Sequence, residues 1–152
     1  MPTPERRSIA RNRRARHDYE ILERLEAGVM LQGSEVKALR AGRANLIDSH
    51  VRIEQNEAWL IGMHIGPYEN ASFEPHEPRR KRKLLLHRRE IQKLHHLTTA
   101  KGLTVVPLEI YFLGQNVKIE IGVVRGKKRH DKRESMKERD AQREIDRARR
   151  ER

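Results

Sequence analysis

The sequence predicts a mainly β protein, a small antiparallel barrel with short peripheral helices and a disordered basic C-terminal tail. Two stretches alternate apolar and polar residues with a period of two, and each is broken once by a short polar turn. Around them, apolar residues recur at three-residue steps in short runs closed by glycine, as surface helices do. The last 27 residues, 126–152, hold 12 Lys/Arg and 7 Asp/Glu. Their only apolar side chains are Met136, Ala141, Ile145 and Ala148, too few to offset the entropy of ordering the backbone.

In chain order, residues 1–18 are arginine-rich with no apolar period and read as a basic arm. Residues 19–31 admit two readings. Ile21, Leu22 and Leu25 before Gly28 fit a helix, whereas Tyr19, Ile21 and then Val29, Met30 and Leu31 fit two strands; the local pattern slightly favours the helix. Gly33 and Ser34 offer an N-cap, Val36 and Leu39 share a face, and Gly42 closes a short helix over 35–40. Val51 and Ile53, then Trp59, Ile61, Met63 and Ile65, alternate across the turn residues Gln55, Asn56 and Glu57, a hairpin with one buried face.

Residues 70–78 are a loop punctuated by Pro75 and Pro78. Leu84, Leu85 and Leu86 lead into a helix marked by Ile91, Leu94 and Leu97, with Gly102 as its stop. A second hairpin places Val106, Leu108, Ile110 and Phe112 on one face, then Val117, Ile119, Ile121 and Val123 after Gly114, Gln115 and Asn116. Pro107 marks an edge or a bulge in its strand. Several strands with interleaved short helices make an OB-like Greek-key barrel the leading architecture. The organisation is then a basic N-terminal arm (1–18), a barrel (19–125) and a basic tail (126–152).

The net charge of +12 is clustered. One group is Arg6, Arg7, Arg11, Arg13, Arg14 and Arg16; a second runs from Arg79 to Lys83 and on to Arg88 and Arg89; a third opens the tail. Clustered positive charge of this size attracts a nucleic-acid backbone through counterion release. Basic runs can also serve solubility alone. A membrane surface fits less well, because no Trp/Phe/Leu face flanks the clusters and no apolar run is long enough to span a bilayer. With no cysteine there is no disulfide, thiolate catalysis or Cys-ligated zinc, and a cytoplasmic protein fits best.

The eight histidines do not form a metal site. His95 and His96 are adjacent and diverge by about 100 degrees on a helix, and the others lack ligand spacing. No phosphate loop, nucleophile elbow or paired carboxylate block appears, so no enzyme, metal or cofactor is nominated. What recurs is basic residues beside planar, hydrogen-bonding ones. Asn12, Arg13, Arg14, Arg16, His17 and Tyr19 supply guanidinium forks together with an amide, an imidazole and a phenol, the groups that read unpaired RNA bases. Arg82, Lys83, Leu84, Leu85, Leu86, His87, Arg88 and Arg89 form the second conjunction, a basic run interrupted by three leucines. Three consecutive leucines cannot all point inward, which leaves at least one beside the charges.

Four segments in order resemble the SsrA-binding protein (small protein B) family. They are Asn12 to Ile21, Gly33 to Arg40, Arg82 to His87, and Gly126-Lys127-Lys128 with His130 to Arg133. The resemblance implies an OB-like barrel and strands rather than a helix at 19–31. It further implies a monomeric ribosome-rescue factor whose barrel binds the tRNA-like domain of transfer-messenger RNA at its D-loop side. It places Glu35, Lys37, Leu85 and His87 on the RNA surface, with His87 at a position where relatives often carry Asn. Glu35 would accept from base amino or imino groups or orient a nearby Arg, and the helix dipole also favours an acid there.

The tail would enter the empty mRNA channel of the ribosomal small subunit and become helical, with His130, Asp131, Lys132 and Arg133 at the decoding centre. Lys127, Lys128, Arg139 and Arg143 are its further phosphate contacts, and acids three residues ahead of bases support the helix. Met136 and Ala141 stand where relatives often carry larger side chains. A structural ribosomal protein with rRNA-binding extensions is the alternative from another class, and a nuclease is disfavoured by the missing carboxylate or metal constellation.

Overall fold

The computed structural model describes residues 5–66 and 77–125. They form β1 (Arg6–Arg11), α1 (Arg13–Asp18), β2 (Glu20–Val29), α2 (Gly33–Arg40), β3 (Ala44–Asn45), β4 (His50–Glu54), β5 (Glu57–Ile61), β6 (His64–Ile65), β7 (Arg82–Leu85), α3 (Arg88–Thr99), β8 (Thr104–Leu113) and β9 (Asn116–Arg125). Six strands close a ring in the order β8, β4, β5, β7, β2, β9 and back to β8, every pair antiparallel. The mainly β, OB-like barrel is thus present. Its interior holds Ala27, Leu60, Leu84, Leu94, Ile110, Ile119 and Ile121.

Residues 20–29 are one continuous strand, neither the helix their spacing suggests nor two strands broken near Gly28. The ladder decides this. β2 pairs with β9 from Glu20 to Gly28, and those cross-strand partners override a weak local helical pattern. Residues 1–18, read as an arm, are built into the fold where described. β1 lies along β8, with Ile9 and Ala10 packed on the core, and α1 buries Ala15.

In the first hairpin Gln55 and Asn56 both take positive φ, the pattern of a type I′ turn. The buried face of β5 carries Ala58 and Leu60, not the expected Trp59 and Ile61, because Val51 pairs with Leu60 and Ile53 with Ala58. Gly62, at φ 89°, then interrupts the strand, and Met63 and Ile65 return to the interior.

In the second hairpin Pro107 marks a bulge. It pairs with Ile121, while Glu109 already pairs with Glu120. The extra residue splits the predicted face. Ile110 and Phe112 enter the barrel, whereas Val106 and Leu108 pack outside it with Ala15, Val124, Tyr19 and Ile21 beneath α1.

The short helices end as their glycines predict. Gly42 (φ 75°) donates to the Leu39 carbonyl after α2, and Gly102 (φ 63°) follows α3. α2 begins two residues before the predicted 35, with Gln32 as N-cap in place of Gly33 or Ser34; its N–H donates to the Glu35 carboxylate at 2.8 Å. The tail, with Lys127, Lys128, His130, Asp131, Lys132, Arg133, Arg139 and Arg143, lies outside the described residues, as does most of the 70–78 loop.

Candidate nucleic-acid interface

α1 presents one of the two predicted conjunctions. Its exposed residues are Arg13, Arg14, Arg16 and His17, with Tyr19 half-buried on the outer apolar cluster. Asn12 is different. Its amide is buried, its Oδ1 accepts from the Ala15 N–H at 3.0 Å, and its Nδ2 donates to the carbonyls of Leu46 (3.3 Å) and Pro107 (3.0 Å). Asn12 caps α1 and ties it to the barrel, so its hydrogen-bonding groups serve the protein and not a ligand. A cavity of about 310 Å³ opens beside it between α1 and residues Asp48 to His50, with Arg14 drawn toward Asp18 (3.6 Å) and Asp48 (4.0 Å).

Glu35 and Arg82 are not on the surface; both are fully buried. Glu35 accepts from Arg80 Nη2 at 2.6 Å and from Arg82 Nε at 2.5 Å. Arg82 also donates to the carbonyls of Met63 (2.7 Å) and Pro78 (3.1 Å). Burial pushes the Glu35 carboxyl upward, but the donors from Arg80, the Gln32 backbone and Arg82 outweigh it and hold it below the ordinary range. Burial lowers Arg82 more than Glu35 raises it, yet a guanidinium remains protonated. Of the roles open to Glu35, orienting an arginine is the one its geometry performs. Lys37, on the same helix, is exposed.

β7 carries the other conjunction. Strand alternation turns Arg82 and Leu84 inward and leaves Leu85 52% exposed, so the middle leucine is the outward one. Leu85 pairs with Gly28 and lies across it. A Cβ built on Gly28 would sit 3.2 Å from the Leu85 Cβ, so the glycine makes room for the leucine. Around them a groove of about 630 Å³ is rimmed by Lys83, His87 and Lys118. Its carboxylates are engaged: Glu57 by Lys83 (3.2 Å), Glu90 by the His87 N–H (3.0 Å), and Glu26 by the Tyr111 hydroxyl.

The predicted residues within the described chain therefore fall into two surface groups, an exposed Lys37 on α2, and three buried side chains, Asn12, Glu35 and Arg82. α1 packs against Ile21 near the start of β2, and Leu85 pairs with Gly28 near its end; seven residues of strand separate them by roughly 23 Å. Lys118, a single lysine within a β run, was not singled out by sequence. Only the pairing of β2 with β9 brings it beside Gly28. Among the described residues no cluster of three or more His, Asp or Glu could hold a metal ion, and no helix is long and apolar enough to cross a membrane.

A family model described as SmpB protein matches residues 9–151. The chain belongs to the SmpB family. Its SmpB relatives include the SsrA-binding protein of Carboxydothermus hydrogenoformans, 58% identical over 140 residues that cover 92% of this chain and 94% of that one. The SsrA-binding protein of Geobacillus thermodenitrificans is 54% identical over 152 residues, covering 100% and 98%. A chain from the solved structure "tmRNA-SmpB: a journey to the center of the bacterial ribosome" is 51% identical, with a TM-score of 0.67 and coverage of 79% and 85%. The SmpB match begins inside β1, the strand added to β8, and runs through both conjunctions.

Proposed function

We propose that this chain is a cytoplasmic, non-enzymatic ribosome-rescue factor. Its barrel binds the tRNA-like domain of transfer-messenger RNA and delivers that RNA to stalled ribosomes. The observation that carries the RNA surface is the exposed Leu85, set over Gly28 and rimmed by Lys83, His87 and Lys118. An apolar contact rimmed by two lysines and an imidazole suits an unstacked base with its phosphate. Arg13, Arg14, Arg16 and His17 on α1 add a second contact region, and Arg80 is held ready by Glu35. Residues 126–152, with Lys127, Lys128, His130, Asp131, Lys132, Arg133, Arg139 and Arg143, are assigned to the decoding centre and mRNA channel, becoming helical there.

Filter binding to transfer-messenger RNA across a salt series tests the barrel assignment. Leu85→Ala weakens binding with an unchanged salt slope, and Arg13→Ala lowers the slope by about one unit. Residues 1–125 bind the RNA nearly as well as the full chain but do not support peptide tagging. Wild-type affinity in Leu85→Ala removes the groove from the RNA site.

A further inference from the structure

Trp59 is the chain's single tryptophan, and it lies on the outer face of the barrel, since Ala58 and Leu60 on either side of it point inward and are fully buried. Strand register puts Arg52 of β4 opposite it on one side and Lys83 of β7 on the other. The Met30 N–H donates to the Lys83 carbonyl at 2.9 Å, so Met30, half exposed, continues the row. The Lys81 ammonium lies 4.5 Å from the centroid of the indole. One planar ring is thus bracketed by three cations on an open sheet face.

The cations are held loosely. Glu54 pairs with Lys81 (2.7 Å) and Arg52 (3.2 Å), and Glu57 pairs with Lys83 (3.2 Å), with every side chain substantially exposed. Exposed pairs of this kind contribute little to stability and exchange readily for another anion. An ammonium over a partly exposed ring such as Trp59 is likewise held less strongly than a base stacked on it.

We propose that Trp59, with Arg52, Lys81 and Lys83 around it, is a stacking platform for an unpaired RNA base. The base replaces Lys81 over the indole, and the displaced ammonium and its neighbours take the flanking phosphates. Lys83 also rims the Leu85 groove, so one strand of RNA can run from Leu85 to Trp59 across a shared cation. The inference extends the RNA-binding reading of that groove and rests on it.

A single tryptophan makes its emission a direct reporter. The probes are a short labelled oligoadenylate, which cannot fold, and transfer-messenger RNA. Both quench Trp59 in the wild-type chain. Trp59→Leu weakens oligoadenylate binding about tenfold with an unchanged salt slope, and Trp59→Phe, which keeps a ring, recovers most of that loss. Lys83→Ala lowers the slope by about 0.7. If transfer-messenger RNA binds tightly while the emission stays constant and Trp59→Leu binds like wild type, the platform is wrong and the RNA-binding reading stands. If oligoadenylate quenches but transfer-messenger RNA does not bind, the platform stands and that reading falls. Equal losses of binding in Trp59→Leu and Trp59→Phe, matched by equal losses of thermal stability, make the ring a packing element and overturn the inference.

Discussion

Glu35 and Glu109 are both buried carboxylates gripped by arginines, and they differ in what becomes of those arginines. Around Glu35, Arg82 is fully buried and Arg80 mostly so. Around Glu109, Arg6 and Arg11 keep 44% and 58% of their side chains in solvent, and Ser8 adds a third donor at 3.1 Å. The first network joins β7 to α2; the second fastens β1 to β8. Both networks thus use arginines of the basic clusters to build the fold, the first with Arg82 sealed inside and the second with its guanidinium groups reaching water. Burial of the guanidinium separates the two networks.

The largest expected effect lies in the closed network. Arg82→Ala strands the Oε2 side of the buried Glu35, leaving it only Arg80 and the Gln32 N–H, and costs about 3 kcal/mol in urea unfolding. A double replacement, Glu35→Gln with Arg82→Met, removes both charges and restores much of that loss. A double variant no better than Arg82→Ala would mean that packing around the pair, rather than the stranded charge, sets the cost.

Glu109→Gln is next, at about 1–2 kcal/mol, because Arg6 and Arg11 can return to water. It also raises proteolysis within β1 while β2 to β9 stay protected. Acid separates both networks from ordinary carboxylates. At Glu109, burial raises the carboxyl but Arg6, Arg11 and Ser8 pull it below its usual value, as donors do at Glu35. A carboxyl lowered by folding contributes fully above its unfolded pKa. That stability is lost as pH falls below about 4.3 and through the lower folded values, and it is read from urea midpoints. Glu35→Gln flattens the acid limb. The smallest effect belongs to Arg14→Ala, within about 0.5 kcal/mol of wild type in stability, since its pairs are long and exposed. Its RNA-binding salt slope still falls by about one.

Much of the barrel was legible in period-two alternation, and Leu85 was legible as the odd member of a leucine triplet. The misreadings have definite causes. Trp59 and Ile61 looked inward because their alternation matched Met63 and Ile65, but Gly62 breaks the strand between the two pairs. The Pro107 bulge divides one apolar run between two packing clusters. Glu35 and Arg82 are 47 positions apart, and their burial exists only after β7 has closed onto α2. The strand identity of residues 20–29 likewise came from pairing with β9, since the local pattern pointed the other way.

The pairing of Glu20 with Arg125 brings the beginning of β2 and the end of β9 together, beside α1. Arg125 therefore stands at one pole of the barrel, while the Leu85 groove occupies the other end of β2. The distance between those stations is fixed by a hydrogen-bonded lattice, not by a linker. Two large polyanions engaged at the two poles would be held at a set separation and angle, with the barrel acting as a ruler between them.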